Sequence, residues 1–577
     1  MSQDNGCAAR AEDTRVPGLS LCFRRRFRKL DGTRANPGGA PAPRLPTHRS
    51  MPVASQRRPL SRALCRALAA SLLLLAAPAA AQGRFVPALS VVQINDVYRI
   101  DAVEGGTVGG LGRVVSLVER TKQAGAPVMV FHAGDFIAPS LESTFFGGEQ
   151  MIDALNFLHA RAPLVVVPGN HEFDSRNPTM FRNSVARSRF PWLAGNLTVT
   201  DSATPRIGRD TVLVAGGMRI GVFTLTFLDV ARTYARADSA FVEIAERQIR
   251  DLERRGVDAI VGITHLELAT DRQVAALRRR HPKFLWIAGG HEHYLLQDPL
   301  TSGSALITKG DSNARRVWRV TIGREGRRPA VRAEPVPMGR GVEIDPAYAR
   351  EITAKWAARV RQRIPTFDVA IGATTTPLDA SEETVRNAES AWGNWLTDQM
   401  RTAFPTQRAD VAVLNGGAIR IDDVIRDSVR WEHVERTFGF PTAVALVSLR
   451  GRDLRDSLLE RSVSGGRGEG SFLQVSGLRF AFDRSRPEGD RVTRVEIQRD
   501  SAYVPLQEDS VYTVAVPDYL FGGGDGYGFR RVATQTVPPG PSLKWLAVQA
   551  LLDAYSRGQA ISPRVEGRIV ETKKEVR

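Results

Sequence analysis

At 577 residues the chain is too long for a single core and implies two to four domains. Its 42% hydrophobic and 24% charged content is that of a soluble globular protein. The net charge of +17 does not mark a nucleic-acid binder, because residues 1–81 hold fourteen Lys and Arg against four Asp and Glu, leaving +7 for residues 82–577.

The leader has the layout of an export signal. From Met51, a basic stretch (Arg57, Arg58, Arg62, Arg66) precedes an apolar run from Ala67 to Ala81, and Ala79-Ala80-Ala81 before Gln82 supplies the small residues of a cleavage site. The run is shorter than the roughly 20 residues a membrane span requires. Residues 51–81 are therefore expected to be a cleaved signal peptide, leaving no stable membrane anchor. Residues 1–50, rich in Arg, Pro and Gly, read as a non-native extension upstream of a true start at Met51, or as a disordered basic arm. Cys7, Cys22 and Cys65 all precede the cleavage site. The mature chain would then lack cysteine, and any metal ligands must be N and O donors. The expected location is the periplasm or the medium.

The first domain is expected over 86–340. "ALSVVQI", "PVMVFHA", "PLVVVPG", "MRIGVFTLT", "DAIVGITH" and "KFLWIAGG" read as strands, and "GGLGRVVSLVERTKQAG", "EQMIDALNFLHA" and "DRQVAALRRRHP" as helices. The alternation predicts a layered α/β domain of mixed sheets flanked by helices, with a hairpin-like region after 190 and ligands at the carboxyl ends of strands. A linker helix is expected within 341–365, where Ile352, Trp356 and Val360 fall on one stripe. An α+β second domain is expected over 366–572, with strands "VAVLN", "AVALVSL", "LRFAFD" and "VYTVAVP" and the glycine-rich loops "NGGAIR", "SGGRGEG" and "FGGGDGYG".

Chemistry concentrates at the strand ends. "VVQIND" delivers Asp96, "FHAGD" Asp135, "VVVPGNHEFD" Asn170, His171 and Asp174, "VGITH" His265, and "IAGGHEH" His291 and His293. Any one of these could be an ordinary polar loop residue; together they read as a metal site. Two divalent cations about 3.5–4 Å apart need a shared carboxylate and a fence of carboxylate, imidazole and carbonyl oxygens. A bound cation lowers the pKa of water towards about 7, so hydroxide becomes available at neutral pH. Asp174, three residues after His171, would orient that imidazole and favour its charged form.

In this order, "IND", "GDFIAPS", "GNHEFD", "ITH" and "GGHEH" resemble the metallophosphatase motifs of the 5'-nucleotidase family, which includes UDP-sugar hydrolase. "ESAWGN", "LNGGAIR", "FLQVSGLRF" and "FGGGDGYGF" resemble that family's nucleotide-binding domain. The resemblance implies a dinuclear-metal phosphohydrolase that releases phosphate from nucleotides by attack of a metal-bound hydroxide, with Mn, Zn, Co or Fe as the ions. It implies that Asp135 bridges the metals, with Asn170, His265 and His291 on one and Asp96 and His293 on the other. His171 and Asp174 would form the catalytic dyad. Asn415 and Arg420 would bind substrate, Arg420 as the phosphate clamp, Phe472 and Tyr519 would sandwich a base, and Asp525 would receive ribose hydroxyls. With metals on one domain and the clamp on the other, a cleft closed by domain movement about the 346–363 helix is expected.

Departures accompany the matches. Tyr98 stands where the family has a histidine ligand, Ala391 where it usually has asparagine, and Ala388 where it often has a phosphate-contacting arginine, for which Arg386 would compensate. Phe440 replaces an asparagine. A relative acting on a cyclic phosphodiester, a nucleotide sugar or a sulfur ester, or a nucleotide-binding protein without catalysis, are the alternatives.

Overall fold

Between Ala88 and Ile94 the chain sends apolar side chains alternately to two faces, as an extended strand must. Leu89 and Val91 join one core while Val92 and Ile94 join another. Both faces are buried, which places this strand between layers. The computed structural model describes residues 84–572 apart from 229, 230, 405 and 538; the readings of 1–50 and 51–81 lie outside the described residues.

The first domain lays down β1 (Phe85–Ile94), β2 (Val128–Ala133), β3 (Leu164–Val167), β4 (Leu197–Val199), β5 (Asp210–Ala215), β6 (Met218–Thr226), β7 (Ala235–Ala237), β8 (Ala259–His265), β9 (Phe284–Gly289), β10 (Leu296–Asp298), β11 (Leu306–Lys309), β12 (Arg316–Glu325) and β13 (Arg328–Pro337). One sheet has the order β13-β12-β1-β2-β3, with β1, β2 and β3 parallel, β12 antiparallel to β1, and β13 antiparallel to β12. The other has the order β10-β11-β9-β8-β6-β5, parallel from β11 to β6 and antiparallel at both edges. The hairpin expected after 190 is β5–β6.

The sheets face each other through Leu89, Val91, Ile220, Val222, Val261 and Ile263. Helices Leu111–Lys122 and Glu149–His159 cover the outer face of the first sheet, and helix Phe241–Arg254 covers that of the second. The result is a helix-sheet-sheet-helix stack of mixed sheets. The helix expected over 271–282 is α-helical only from Leu268 to Ala275 and tightens to a 3-10 turn over Ala276–Arg279.

The linker helix begins at Pro346, with Asp345 capping the Tyr348 N–H at 2.7 Å, loosens to a π turn over Ala349–Thr353 and ends at Arg363. Ile352 and Trp356 bury into the first domain's core and Val360 meets Leu141 and Phe367, so the helix is docked along its apolar stripe. Beyond it, a five-stranded sheet orders Leu473–Ser476, Val411–Asn415, Val511–Pro517, Val444–Arg450 and Gln535–Val537. Helices Ala391–Arg401 and Leu543–Ser556 pack on one of its faces, burying Trp392, Leu396, Val548 and Leu551. A four-stranded sheet completes the second domain. Among the described residues, no helix is long and apolar enough to cross a membrane.

Candidate metal and phosphate site

The carboxyl ends of β1, β2, β3, β8 and β9 converge on one buried cluster. Its backbone is unusual: Asp96, Asp135 and His291 have φ of 52°, 59° and 85°, a left-handed region non-glycine residues seldom occupy and which recurs at functional sites. The Asp96 N–H donates to Gly134 O at 2.9 Å, and the His291 N–H to Asp96 Oδ2 at 2.9 Å. Glycine is required where loops meet: a Cβ on Gly169 would lie 2.1 Å from Asp135 Oδ1.

Ligand atoms of the buried Asp96, Asp135 and His265 all lie within 4.8 Å of one another. His265 Nδ1 sits 2.7 Å from the Ala133 carbonyl, which can only accept, so Nδ1 carries a hydrogen. Its Nε2 faces Asn170 Oδ1 at 3.0 Å and Asp135 Oδ2 at 3.3 Å. Two oxygen acceptors face Nε2, and the gap suits either a proton or a cation. Burial alone would lower the His265 imidazole, but Asp135 holds it up at about 10. By contrast, burial and the neighbouring His265 push His291 down to about 3, leaving a neutral imidazole. The donor set is oxygen and nitrogen only and fits a divalent cation.

His293 Nε2 lies 3.4 Å from Asp96 Oδ1, and its Nδ1 lies 2.7 Å from Glu382 Oε1. Tyr98 sits inside the same ring: its hydroxyl is 3.1 Å from Asp135 Oδ2, 3.1 Å from His293 Nε2 and 3.4 Å from Asp96 Oδ1. Burial, with the charges of Asp135 and Asp96, pushes the phenol well above its ordinary value of 10.0. It keeps its proton and donates.

His171 packs beside this cluster, its N–H donating to Asp135 Oδ1 at 2.9 Å and its Nδ1 2.9 Å from Asp174 Oδ2. Burial works against the charged ring, but Asp174 and Asp135 outweigh it and hold the imidazole up at about 9. Arg420 arrives from the second domain, its guanidinium carbon 5.4 Å from the Tyr98 ring centre and 5.5 Å from that of Phe440. The Phe440 ring lies 6.3 Å from that of His171. Arg420 Nε and Nη1 are buried without a hydrogen-bond partner among the described residues. Two unmet donors on a cation beside His171 fit an anion.

The other expected substrate residues are placed unevenly. Asn415 donates to Asp525 Oδ2 at 2.9 Å, and the Tyr519 hydroxyl to Asp525 Oδ1 at 2.9 Å. Tyr519 is 54% exposed and Asp525 is held at φ 52°. Phe472 departs from the expectation: it is 1% exposed, packs edge-on to Phe482 at 6.2 Å and lies 5.8 Å from the Arg484 guanidinium. Arg386 also departs, because its guanidinium pairs with Glu382 and donates to Gly468 O at 3.1 Å, so its charge is already matched.

Three contributors escape a reading of the sequence alone. Glu172, 1% exposed, accepts backbone N–H groups from Asp135 at 2.9 Å, Phe136 at 2.8 Å and Ile137 at 3.1 Å, and also from Gly169, joining two site loops. Lys309, fully buried, pairs with Asp271 at 2.8 Å and with Glu292, and donates to Leu266 O at 2.7 Å and Gly290 O at 2.9 Å. It ties the loop after His265 to the loop before His291. Asn95 donates to Asp96 Oδ2 at 2.8 Å and to Gly310 O at 3.0 Å.

Residues 89–295 match the calcineurin-like phosphoesterase family, and residues 370–532 match the 5'-nucleotidase C-terminal domain family. The chain is 24% identical over 534 residues to the 5'-nucleotidase of Homo sapiens, covering 83% of this chain and 90% of that protein. It is 25% identical to the solved 5'-nucleotidase precursor of Thermus thermophilus, with a TM-score of 0.70 over 85% of this chain and 100% of that one. The solved sulfate thiohydrolase SoxB of Thermus thermophilus shares the fold, at 16% identity and a TM-score of 0.65 over 85% of this chain and 98% of that one. Fold and site together define a calcineurin-like phosphoesterase domain joined to a second, 5'-nucleotidase-type domain. The chain belongs to the 5'-nucleotidase family and is a metal-dependent phosphoester hydrolase.

Proposed function

We propose that the protein releases phosphate from nucleotides, using two divalent ions and a phosphate clamp supplied by the second domain. The observation that carries this reading is Arg420, whose unmet donors lie beside His171 and over Tyr98. Asn170, His265 and His291 would hold one ion, Asp96 and His293 the other, and Asp135 would serve both. When bound, the ions acidify a water and offset phosphate charge. Arg420 binds phosphate oxygens through its fork, a geometry that lysine cannot reproduce. His171, kept protonated by Asp174, donates a hydrogen bond to the phosphate or the departing oxygen. Asp174 fixes the ring through its 2.9 Å contact with Nδ1.

On the second domain, Asn415 and Asp525 would meet the ribose and the exposed Tyr519 ring would stack on the base, worth about 1–3 kcal/mol. Export by the 51–81 signal, to periplasm or medium, belongs to the same proposal. The burial of Phe472 leaves only Tyr519 of the expected base sandwich and favours a second reading among the esters of the family, which also include cyclic phosphodiesters and nucleotide sugars: one without a base to stack, such as a sulfur ester. A panel of these esters beside nucleoside monophosphates, assayed with Mn, Co or Zn, separates the two readings. Highest kcat/KM on nucleoside monophosphates supports the first, and a preference for any other ester overturns it.

A further inference from the structure

Beside Asp96 and His293, the loop over residues 310–314 meets two carboxylates of the second domain, Asp422 and Glu382. The Asn313 N–H donates to Asp96 O at 2.9 Å, and Asn313 Oδ1 accepts the Tyr98 N–H at 3.1 Å. From its other side, Asn313 Nδ2 donates to Asp422 of the second domain at 2.7 Å, and Arg315 pairs with the same carboxylate. Asp422 Oδ1 accepts the Glu382 N–H at 2.9 Å. Glu382, 8% exposed, then turns both its oxygens back to the first domain. Oε1 lies 2.7 Å from His293 Nδ1, and Oε2 accepts the Ser312 hydroxyl.

A carboxylate can only accept, so this contact puts a hydrogen on His293 Nδ1, and a cation at Asp96 would be met by the Nε2 lone pair. Carboxylates placed in this way behind a ligating histidine set its tautomer and ring orientation. Here the carboxylate stands 89 residues away in sequence, on the other domain. A histidine whose orientation depends on the second domain is correctly set only while that domain is docked.

We infer that Glu382 is a positioning residue which makes cation retention at Asp96 and His293 depend on docking of the second domain, and by reciprocity makes docking depend on the cation. This rests on the metal roles proposed above for Asp96 and His293. Linkage requires the dependence to run both ways. Arg386, paired with Glu382, holds the carboxylate in place from the second domain's side.

The test uses the full chain, stripped of metal and titrated with Mn²⁺ against a fluorescent chelator, with small-angle X-ray scattering before and after loading. Glu382→Ala should weaken one binding step about 10- to 100-fold and leave the other unchanged. It should also abolish the compaction that loading produces in the unsubstituted protein. Glu382→Gln, whose amide oxygen can still accept from Nδ1, should weaken the same step less. Should Glu382→Ala not fold, Glu382→Gln decides: a weakened single step supports the inference and an unchanged titration overturns it. Both steps unchanged in a folded Glu382→Ala protein overturns it as well. An unsubstituted protein that takes up no cation would instead remove the proposed metal roles themselves.

Discussion

The Tyr98 hydroxyl lies 3.1 Å from Asp135 Oδ2, within the ring of donors that fits a cation. A phenol there is a poorer ligand than imidazole, the more so because burial and two carboxylates keep its proton on. Tyr98→His should therefore tighten cation binding, by about tenfold, at the step that involves Asp96 and His293. Calorimetric titration of metal-stripped protein measures this, and identical affinities would reduce Tyr98 to packing.

Arg420 is the next point of leverage. Removing a donor that meets developing charge costs about 10²- to 10³-fold in kcat, and Arg420→Ala should fall in that range. Arg420→Lys should recover little, because a point charge cannot span two oxygens. Steady-state kinetics with a saturable nucleotide check both; full activity in the lysine variant would argue against a fork.

Glu172 holds the loops of Asp135 and Gly169 together through backbone N–H groups. Glu172→Gln puts an NH₂ group among those donors and leaves at least one unmet, at a cost of about 1–3 kcal/mol. Chemical denaturation should show that loss, and metal analysis should show lowered occupancy in the same variant. A stable variant with full metal content would contradict this role.

A pH signature lies at the junction of the domains. Glu142 of the first domain pairs with Arg436 of the second at 2.9 Å, both largely buried. Burial raises this carboxyl, but Arg436 and Arg99 outweigh it and hold it below its ordinary value of 4.5. A lowered folded pKa gives stability that is full above 4.5 and is lost as pH falls through the lower folded value. Glu142→Ala should thus cost about 3 kcal/mol at pH 7, as for a broken buried pair, and progressively less as the medium is acidified through that range. Urea denaturation across pH decides, and a pH-independent difference would exclude the pair as its source.

How much was legible in the sequence follows from where each signal is stored. Apolar runs closed by Asp, Asn or His mark β1, β2, β3, β8 and β9 because strand and payload are contiguous. Glu172, Lys309 and Glu382 were not legible, since their partners are backbone groups or residues of remote segments, and nothing local distinguishes a buried acid from a solvated one. Phe472 shows the reverse failure: its motif matches an open aromatic position, yet the packing of Phe482 and Arg484 around it buries the ring. Arg386 likewise looked available for phosphate until Glu382, four residues earlier on the same turn, took its charge.

In the proposed reaction, metal and His171 act together in phosphate release. The direct measurement is phosphate liberated from a nucleoside monophosphate by chelator-stripped protein, before and after Mn, Co or Zn is restored, in unsubstituted and His171→Ala forms. Release should be absent without metal, recover on its return, and fall by about 10²-fold or more in the variant. Release that survives stripping, or that is undiminished in His171→Ala, would contradict that reaction.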